Sequence, residues 1–259
     1  MGMTAYMEHK DLSNTSITDE RRAEITSGVH CTLDAVQNAL AKAGRPSDAT
    51  TLLAATKTRD VAEILAAVDA GIRCIGENRP QEVLAKAEGL ATGLADRGLD
   101  EMPFHMIGQL QANKISKILP YISTIESVDS LKLAERISRR LETQENHEIG
   151  IFLEVNESGE DTKSGCSPDE AYDIAQQIAE LEGLRLEGLM TIGTHVSDEK
   201  VVRTGFAHLR DLRDRLQDAG LSACRELSMG MSGDMEWAIA EGSTLVRVGT
   251  GIFGERAFI

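Results

Sequence analysis

The sequence predicts a single (β/α)8 barrel, and three observations carry that expectation. Short apolar runs alternate with longer amphipathic segments eight times between residues 52 and 248. Hydrophobic residues make up 41% of the 259, but aromatics only 3%. The core must therefore be Ala, Val, Ile and Leu, which suits helices packed on parallel strands. No stretch rich in Pro, Gly or Ser interrupts the alternation, so one domain is expected. An open doubly wound sheet has the same alternation, and periodicity alone does not tell a closed sheet from an open one.

Residues 1–17 are polar and aperiodic and read as a flexible N-terminal arm, with the barrel domain over 18–259. Thr18 before Asp19 and Glu20 marks a helix start. Ile25, Val29, Leu33, Val36 and Leu40 keep helical spacing, and Gly44 with Pro46 ends the run. This is an extra helix ahead of the barrel. Strands are expected at 52–55, 74–76, 104–107, 124–125, 151–155, 189–192, 226–229 and 245–248. Helices are expected at 60–70, 80–88, 113–118, 130–141, 168–181, 201–218 and 235–241.

Charge excludes some functions. Lys and Arg number 27 against 42 Asp and Glu, a net charge of −15. A nucleic-acid binder needs clustered cations, and so does docking on an anionic membrane. Cys31, Cys74, Cys166 and Cys224 form no C-x-x-C pair, so no metal site and no redox pair are expected. There is no signal-like apolar segment and no run of roughly 18 apolar residues. Met1-Gly2 opens like a myristoylation site, but Tyr6 stands where Ser or Thr is needed. A cytoplasmic protein is expected.

In either architecture ligands bind at the carboxyl ends of the strands, so the residues just after each run are the informative ones. Lys57 follows the first run directly. A lysine half-buried in a barrel mouth loses its charge at modest cost and then condenses with an aldehyde. A solvated rim lysine is the alternative. After the seventh run comes Ser228-Met229-Gly230-Met231-Ser232-Gly233-Asp234, and after the eighth Arg247-Val248-Gly249-Thr250-Gly251. Backbone N–H groups in such turns, with Ser and Thr hydroxyls, suit a phosphate. Each turn alone is ordinary turn chemistry. Together, opposite a lysine, they suggest a ligand with both a phosphate and an aldehyde, and pyridoxal 5′-phosphate has both. Arg247 would donate to an unprotonated pyridine nitrogen, since arginine holds its own proton. Such a site binds the cofactor but makes it a weak electron sink.

Seven ordered motifs between about residues 50 and 256 resemble the pyridoxal phosphate homeostasis protein family, related to the barrel domain of alanine racemase. They are Leu52-Leu53-Ala54-Ala55-Thr56-Lys57-Thr58, Ile75-Gly76-Glu77-Asn78-Arg79-Pro80-Gln81-Glu82, the segment from Phe104 to Lys114, Thr162-Lys163-Ser164-Gly165, the segment from Gly188 to Ile192, and the two turns with their flanks. The resemblance implies a barrel of the alanine racemase N-terminal type, with the cofactor held on Lys57 as an internal aldimine. It also implies that Ser232, Gly233, Gly249 and Thr250 hold the phosphate. Arg247 would face the pyridine nitrogen, and Asn78 and Met229 would line the cofactor. His105 and Asn113 fall near the mouth, where a rim hydrogen bond is expected of each. Thr56 stands where the family usually has Ser, and Arg79-Pro80 varies the Gly-Glu-Asn motif. Pro80 suits the first turn of a helix.

Racemases of this type carry a further β-rich domain that supplies a tyrosine, because two-sided proton transfer needs groups on both faces. The chain ends at Ile259, and Tyr6, Tyr121 and Tyr172 lie away from the strand ends. No catalytic residue is assigned. The expected function is cofactor binding and homeostasis, by a monomer that passes pyridoxal phosphate to pyridoxal-dependent apo-enzymes. A weak amino-acid racemase or related enzyme is the alternative. A barrel whose lysine condenses with a sugar phosphate is a third reading.

Overall fold

The computed structural model describes residues 10–100, 102–142, 148–158, 164–193 and 198–255. Eight parallel strands close into a barrel in chain order. They are β1 (Thr51–Ala55), β2 (Ile75–Glu77), β3 (Phe104–Met106), β4 (Thr124–Val128), β5 (Ile149–Glu154), β6 (Leu184–Met190), β7 (Glu226–Ser228) and β8 (Leu245–Val248). Closure is the pairing of β8 with β1, with Leu52 opposite Val246 and Ala54 opposite Val248. That pairing decides for the barrel over the open sheet.

The helices are α1 (Asp19–Lys42), α2 (Val61–Asp69), α3 (Pro80–Ala95), α4 (Ile115–Ile118), α5 (Leu131–Leu141), α6 (Pro168–Ala179), α7 (Glu199–Asp218), α8 (Met235–Ala240) and α9 (Thr250–Phe253). Thr18 caps α1, its side chain accepting from the Arg21 N–H. The N-terminal helix has a definite place. It packs on α2, α8 and α9. The helix that follows β8 is a single turn, so α1 covers the outside of the barrel between the last unit and the first. Ile25, Val29, Val36, Ala39 and Leu40 form its buried face. Contact with α9 is close at Gly28, where an added Cβ would stand 2.3 Å from the Ile252 carbonyl oxygen.

Several boundaries differ from the pattern-based reading, each for a physical reason. The helix expected to end at 88 continues to Ala95. Gly89 and Gly93 weaken the helical signal, but they let α3 lie against Val61 and Leu65 of α2. The fourth strand extends to Val128 because Glu126 and Ser127 are buried polar residues that interrupt the apolar pattern. The sixth begins at Leu184, where Arg185 and Glu187 alternate with Leu184 and Leu186. Residues 191–192 lie beyond its end. The helix expected at 113–118 is a 3-10 turn (Ala112–Lys114) followed by the short α4.

Two apolar layers result. Leu53, Cys74 and Leu245 pack inside the barrel, while the outward strand residues and inner helix faces form the larger shell. Residues 10–17 lie along the start of α2. Val61 N donates to Leu12 O at 3.1 Å, and Lys10 Nζ reaches Glu63 Oε2 at 2.6 Å. Residues 1–9 of the expected arm fall outside the described residues. Among the described residues, no helix is long and apolar enough to cross a membrane, and no cluster of His, Cys, Asp or Glu could hold a metal ion.

Gly28→Ala is expected to lower stability by about 1–3 kcal/mol, because the methyl group has no space against the α9 backbone. Urea unfolding measures this, and an unchanged midpoint would contradict the close approach.

Candidate functional site

The carboxyl ends of the strands gather the residues singled out from the sequence. Lys57 is half-buried and sits in a tight turn after β1. Thr56 N donates to Gly76 O at 2.9 Å, and Arg59 N closes the turn on Thr56 O at 2.9 Å. Thr58 has φ +67°. This left-handed conformation costs a β-branched residue energy. Barrel closure sets the loop after β8 beside this turn. A Cβ added to Gly249 would stand 3.1 Å from the Ala55 carbonyl oxygen.

The loop after β7 is folded by Asp234. Met231 N donates to Asp234 Oδ1 at 2.6 Å, and Asp234 N to Met231 O at 3.2 Å. Gly230 carries φ +97° at the start of the loop. Ser232 and Gly233 are left exposed at its tip. A Cβ on Gly251 would stand 4.0 Å from Ser232 Oγ, so the loops after β7 and β8 face one another. The backbone N–H groups of Ser232, Gly233, Thr250 and Gly251 find no acceptor among the described residues, and neither do the Ser232 and Thr250 hydroxyls. This donor set is chemically suited to an anion.

Arg247 is buried inside the barrel. Nη1 donates to Ser228 O at 2.8 Å and to Ser228 Oγ, and Nη2 donates to Thr191 O at 2.8 Å. Nε and one Nη2 hydrogen keep no acceptor among the described residues. Behind it lies Glu126, whose Oε2 accepts from Ser228 Oγ and whose Oε1 pairs with His105 Nδ1 at 2.6 Å. Burial opposes ionisation of Glu126, but His105 and Arg247 outweigh it and hold the carboxyl below its ordinary range. Burial also opposes the charge on His105, yet Cys74 and Glu126 push its pKa up to about 10. His105 is thus not at the rim, as expected from its motif. It lies in the barrel interior and lines a cavity of about 780 Å3 at the opposite end, with Thr51, Cys74 and Thr124.

The other sequence-derived positions are spread more widely. Asn78 is half-buried at the end of β2, and its N–H reaches Glu77 Oε2 at 3.2 Å. Met229 is fully buried in the outer apolar shell, and its N–H donates to Leu245 O at 3.2 Å. Its side chain is not among the groups gathered at the mouth. Asn113 lies on the outside, in a groove with Arg136, Arg139 and Arg140. Thr162 and Lys163 fall outside the described residues. The Gln109 amide donates to Ser164 Oγ, linking the loops after β3 and β5.

The sequence reading passed over the buried carboxylates, Glu126 and also Glu154. Glu154 ends β5 and is buried. Burial and nearby Asp129 raise its pKa to about 7, against the pull of Arg247. Its signal is a lone carboxylate inside the apolar run 151–155, easily passed over as a strand residue.

A family model for the alanine racemase N-terminal domain matches residues 31–257. The pyridoxal phosphate homeostasis protein of Pseudomonas aeruginosa is 40% identical over 223 residues, covering 86% of this chain and 92% of that one. This chain belongs to the pyridoxal phosphate homeostasis protein family. The barrel is of the alanine racemase N-terminal type. An unknown protein from Bifidobacterium adolescentis, seen in a crystal structure, is 59% identical with a TM-score of 0.92, over 94% of this chain and 100% of its own. PipY of Synechococcus elongatus, in a structure with PLP bound, is 33% identical with a TM-score of 0.70, over 85% of this chain and 100% of its own.

Glu154 makes stability depend on pH. Its pKa is higher folded than unfolded, so between about pH 4.5 and 7 the folded state holds a proton that the unfolded chain has lost. Stability falls as pH rises through that window. Glu154→Gln mimics the protonated form and is expected to match the parent near pH 4 and exceed it by about 2–3 kcal/mol at pH 8. Thermal unfolding at both pH values checks this; an equal gain at both would contradict it.

Proposed function

We propose that this protein binds pyridoxal 5′-phosphate reversibly, with Lys57 as the point of covalent attachment, and serves intracellular homeostasis of that cofactor. One observation carries the reading most: donors at 232–233 and 250–251 that find no acceptor among the described residues face the same barrel end as the lysine turn. The named relatives and the PLP-bound PipY structure support it. When bound, the cofactor supplies an aldehyde that condenses with an amine. Everything else falls to the chain's own residues. Ser232, Gly233, Gly249 and Thr250 hold the phosphate through N–H groups and hydroxyls. Arg247 is tied at Ser228 and Thr191 and presents its remaining N–H groups to the pyridine nitrogen. Asn78 lines the ring from β2, and Met229 supports the site from the shell. Arginine carries no proton acceptor, so the site retains the cofactor without making it a strong electron sink. No catalytic residue is assigned. The protein acts as a cytoplasmic monomer that releases the cofactor to apo-enzymes, and its net charge of −15 keeps it soluble.

The second reading, a weak pyridoxal-dependent racemase or related enzyme, is favoured by Glu154, which can exchange a proton near neutrality at the end of β5. Conversion of L-alanine to D-alanine, lost in Lys57→Ala, would establish it.

Borohydride treatment of the cofactor-loaded protein is expected to leave a pyridoxyl group on Lys57, found by peptide mapping. Lys57→Ala is expected to lose that group while keeping its unfolding midpoint, since a half-exposed turn residue contributes little packing. A pyridoxyl group mapped elsewhere would contradict the assignment. Ser232→Ala combined with Thr250→Val is expected to weaken cofactor binding by about 1.5–3 kcal/mol per hydroxyl removed, each being a donor to an anion. Equal dissociation constants for parent and double variant would remove the cradle.

A further inference from the structure

Beneath the Lys57 turn lies a cluster of charges to which the binding site so far described gives no role. Lys86 is completely buried. Its Nζ pairs with Glu77 Oε1, with Glu82 Oε2 at 3.2 Å and with Thr56 O at 3.0 Å. Glu82 and Lys86 sit one turn apart on α3, and Glu77 ends β2. Burial outweighs the nearby lysine and holds the Glu77 carboxyl above its ordinary range. Removing three charged groups from water costs several kcal/mol per ion, and apolar side chains of the same size would often fill the space more cheaply.

What distinguishes the cluster is where its remaining side-chain hydrogen bonds go. Glu82 Oε2 accepts from Thr58 N at 2.6 Å. Glu77 Oε1 accepts from the Thr56 hydroxyl at 2.7 Å, and Oε2 accepts from Asn78 N at 3.2 Å. Lys86 binds Thr56 O. Every one ends on a residue adjoining Lys57 or on Asn78. Thr58 carries the left-handed φ of +67°, and its buried hydroxyl finds no partner among the described residues. Threonine reaches this conformation only when its surroundings impose it. The side chain that binds the Thr58 backbone is Glu82, itself paired with Lys86.

We propose that Glu82, anchored by Lys86, is a positioning residue for Lys57: it clamps the Thr58 N–H and so holds the turn that aims the lysine at its carbonyl ligand. This rests on the cofactor reading above and adds a division of labour. The loops after β7 and β8 set affinity for the phosphorylated body of the ligand. The cluster under β1 sets how readily Lys57 bonds to it.

The test compares two ligands, pyridoxal 5′-phosphate and 4′-deoxypyridoxine 5′-phosphate, which keeps the ring and phosphate but lacks the aldehyde. Glu82→Ala is expected to lower the extent of covalent attachment at Lys57, trapped with borohydride at sub-saturating ligand, on the order of tenfold. Its dissociation constant for the deoxy analogue is expected to stay within about twofold of wild type. Glu82→Gln keeps an acceptor for the Thr58 N–H and is expected to restore most of the attachment. Thr58→Gly added to Glu82→Ala is also expected to restore it, because glycine takes a positive φ without a clamp. If Glu82→Ala does not fold, this double variant carries the test. A tenfold deficit persisting in it would overturn the proposal. So would equal losses for both ligands, which indicate general destabilisation, or unchanged attachment in Glu82→Ala. Wild-type protein that traps no pyridoxyl group removes the cofactor reading, and this proposal with it.

Discussion

Pairing of β8 with β1 is the constraint on which the rest depends. Lys57 and Arg247 are 190 residues apart in the chain, and only closure brings their strand ends side by side. The same closure fixes the face on which each side chain falls, because a strand alternates inward and outward positions. Leu245 and Arg247 point inward, and Val246 and Val248 outward into the shell. Closure also explains α1. The last unit ends in one helical turn, and the N-terminal helix covers what that turn leaves open.

Inside the barrel, polar residues are arranged in a connected series rather than scattered. Arg247, Ser228, Glu126 and His105 join groups from β8, β7, β4 and β3 through buried hydrogen bonds. Each charge has a partner of opposite sign, which is the condition for burying it. The arginine is therefore held in place before any ligand arrives, with its free N–H groups already directed. A second buried cluster, built on Lys86, hydrogen-bonds the neighbouring turn after β1 through Thr56 and Thr58. A preorganised site of this kind binds without having to order its own side chains.

Much of this was legible from the residues. Eight strand runs and the N-terminal helix followed from apolar spacing. Lys57 and the glycine turns followed from their place just after those runs. The parts that escaped were the buried polar groups. Glu126 shortened an expected strand, Glu154 passed as one residue of an expected strand, and Glu77, Glu82 and Lys86 looked like ordinary charged positions of a helix and its approach. Pattern reading assigns charge to the surface, and a charge buried with its partner defeats it. His105 was placed at the rim because its motif was near others there, whereas strand alternation turns it into the interior. Met229 is the outward neighbour of Ser228, so a motif position close to the site in sequence puts its side chain in the shell.

We propose that Lys57, the donors of the loops after β7 and β8, and Arg247 form a single site for one ligand. A crystal structure of the protein grown with pyridoxal 5′-phosphate would decide this. Continuous density is expected from Lys57 Nζ to the ligand, with the phosphate among Ser232, Gly233, Gly249 and Thr250 and the ring nitrogen against Arg247. Density joined to Lys57 but with the phosphate elsewhere, or ligand bound away from the carboxyl ends of the strands, would contradict it.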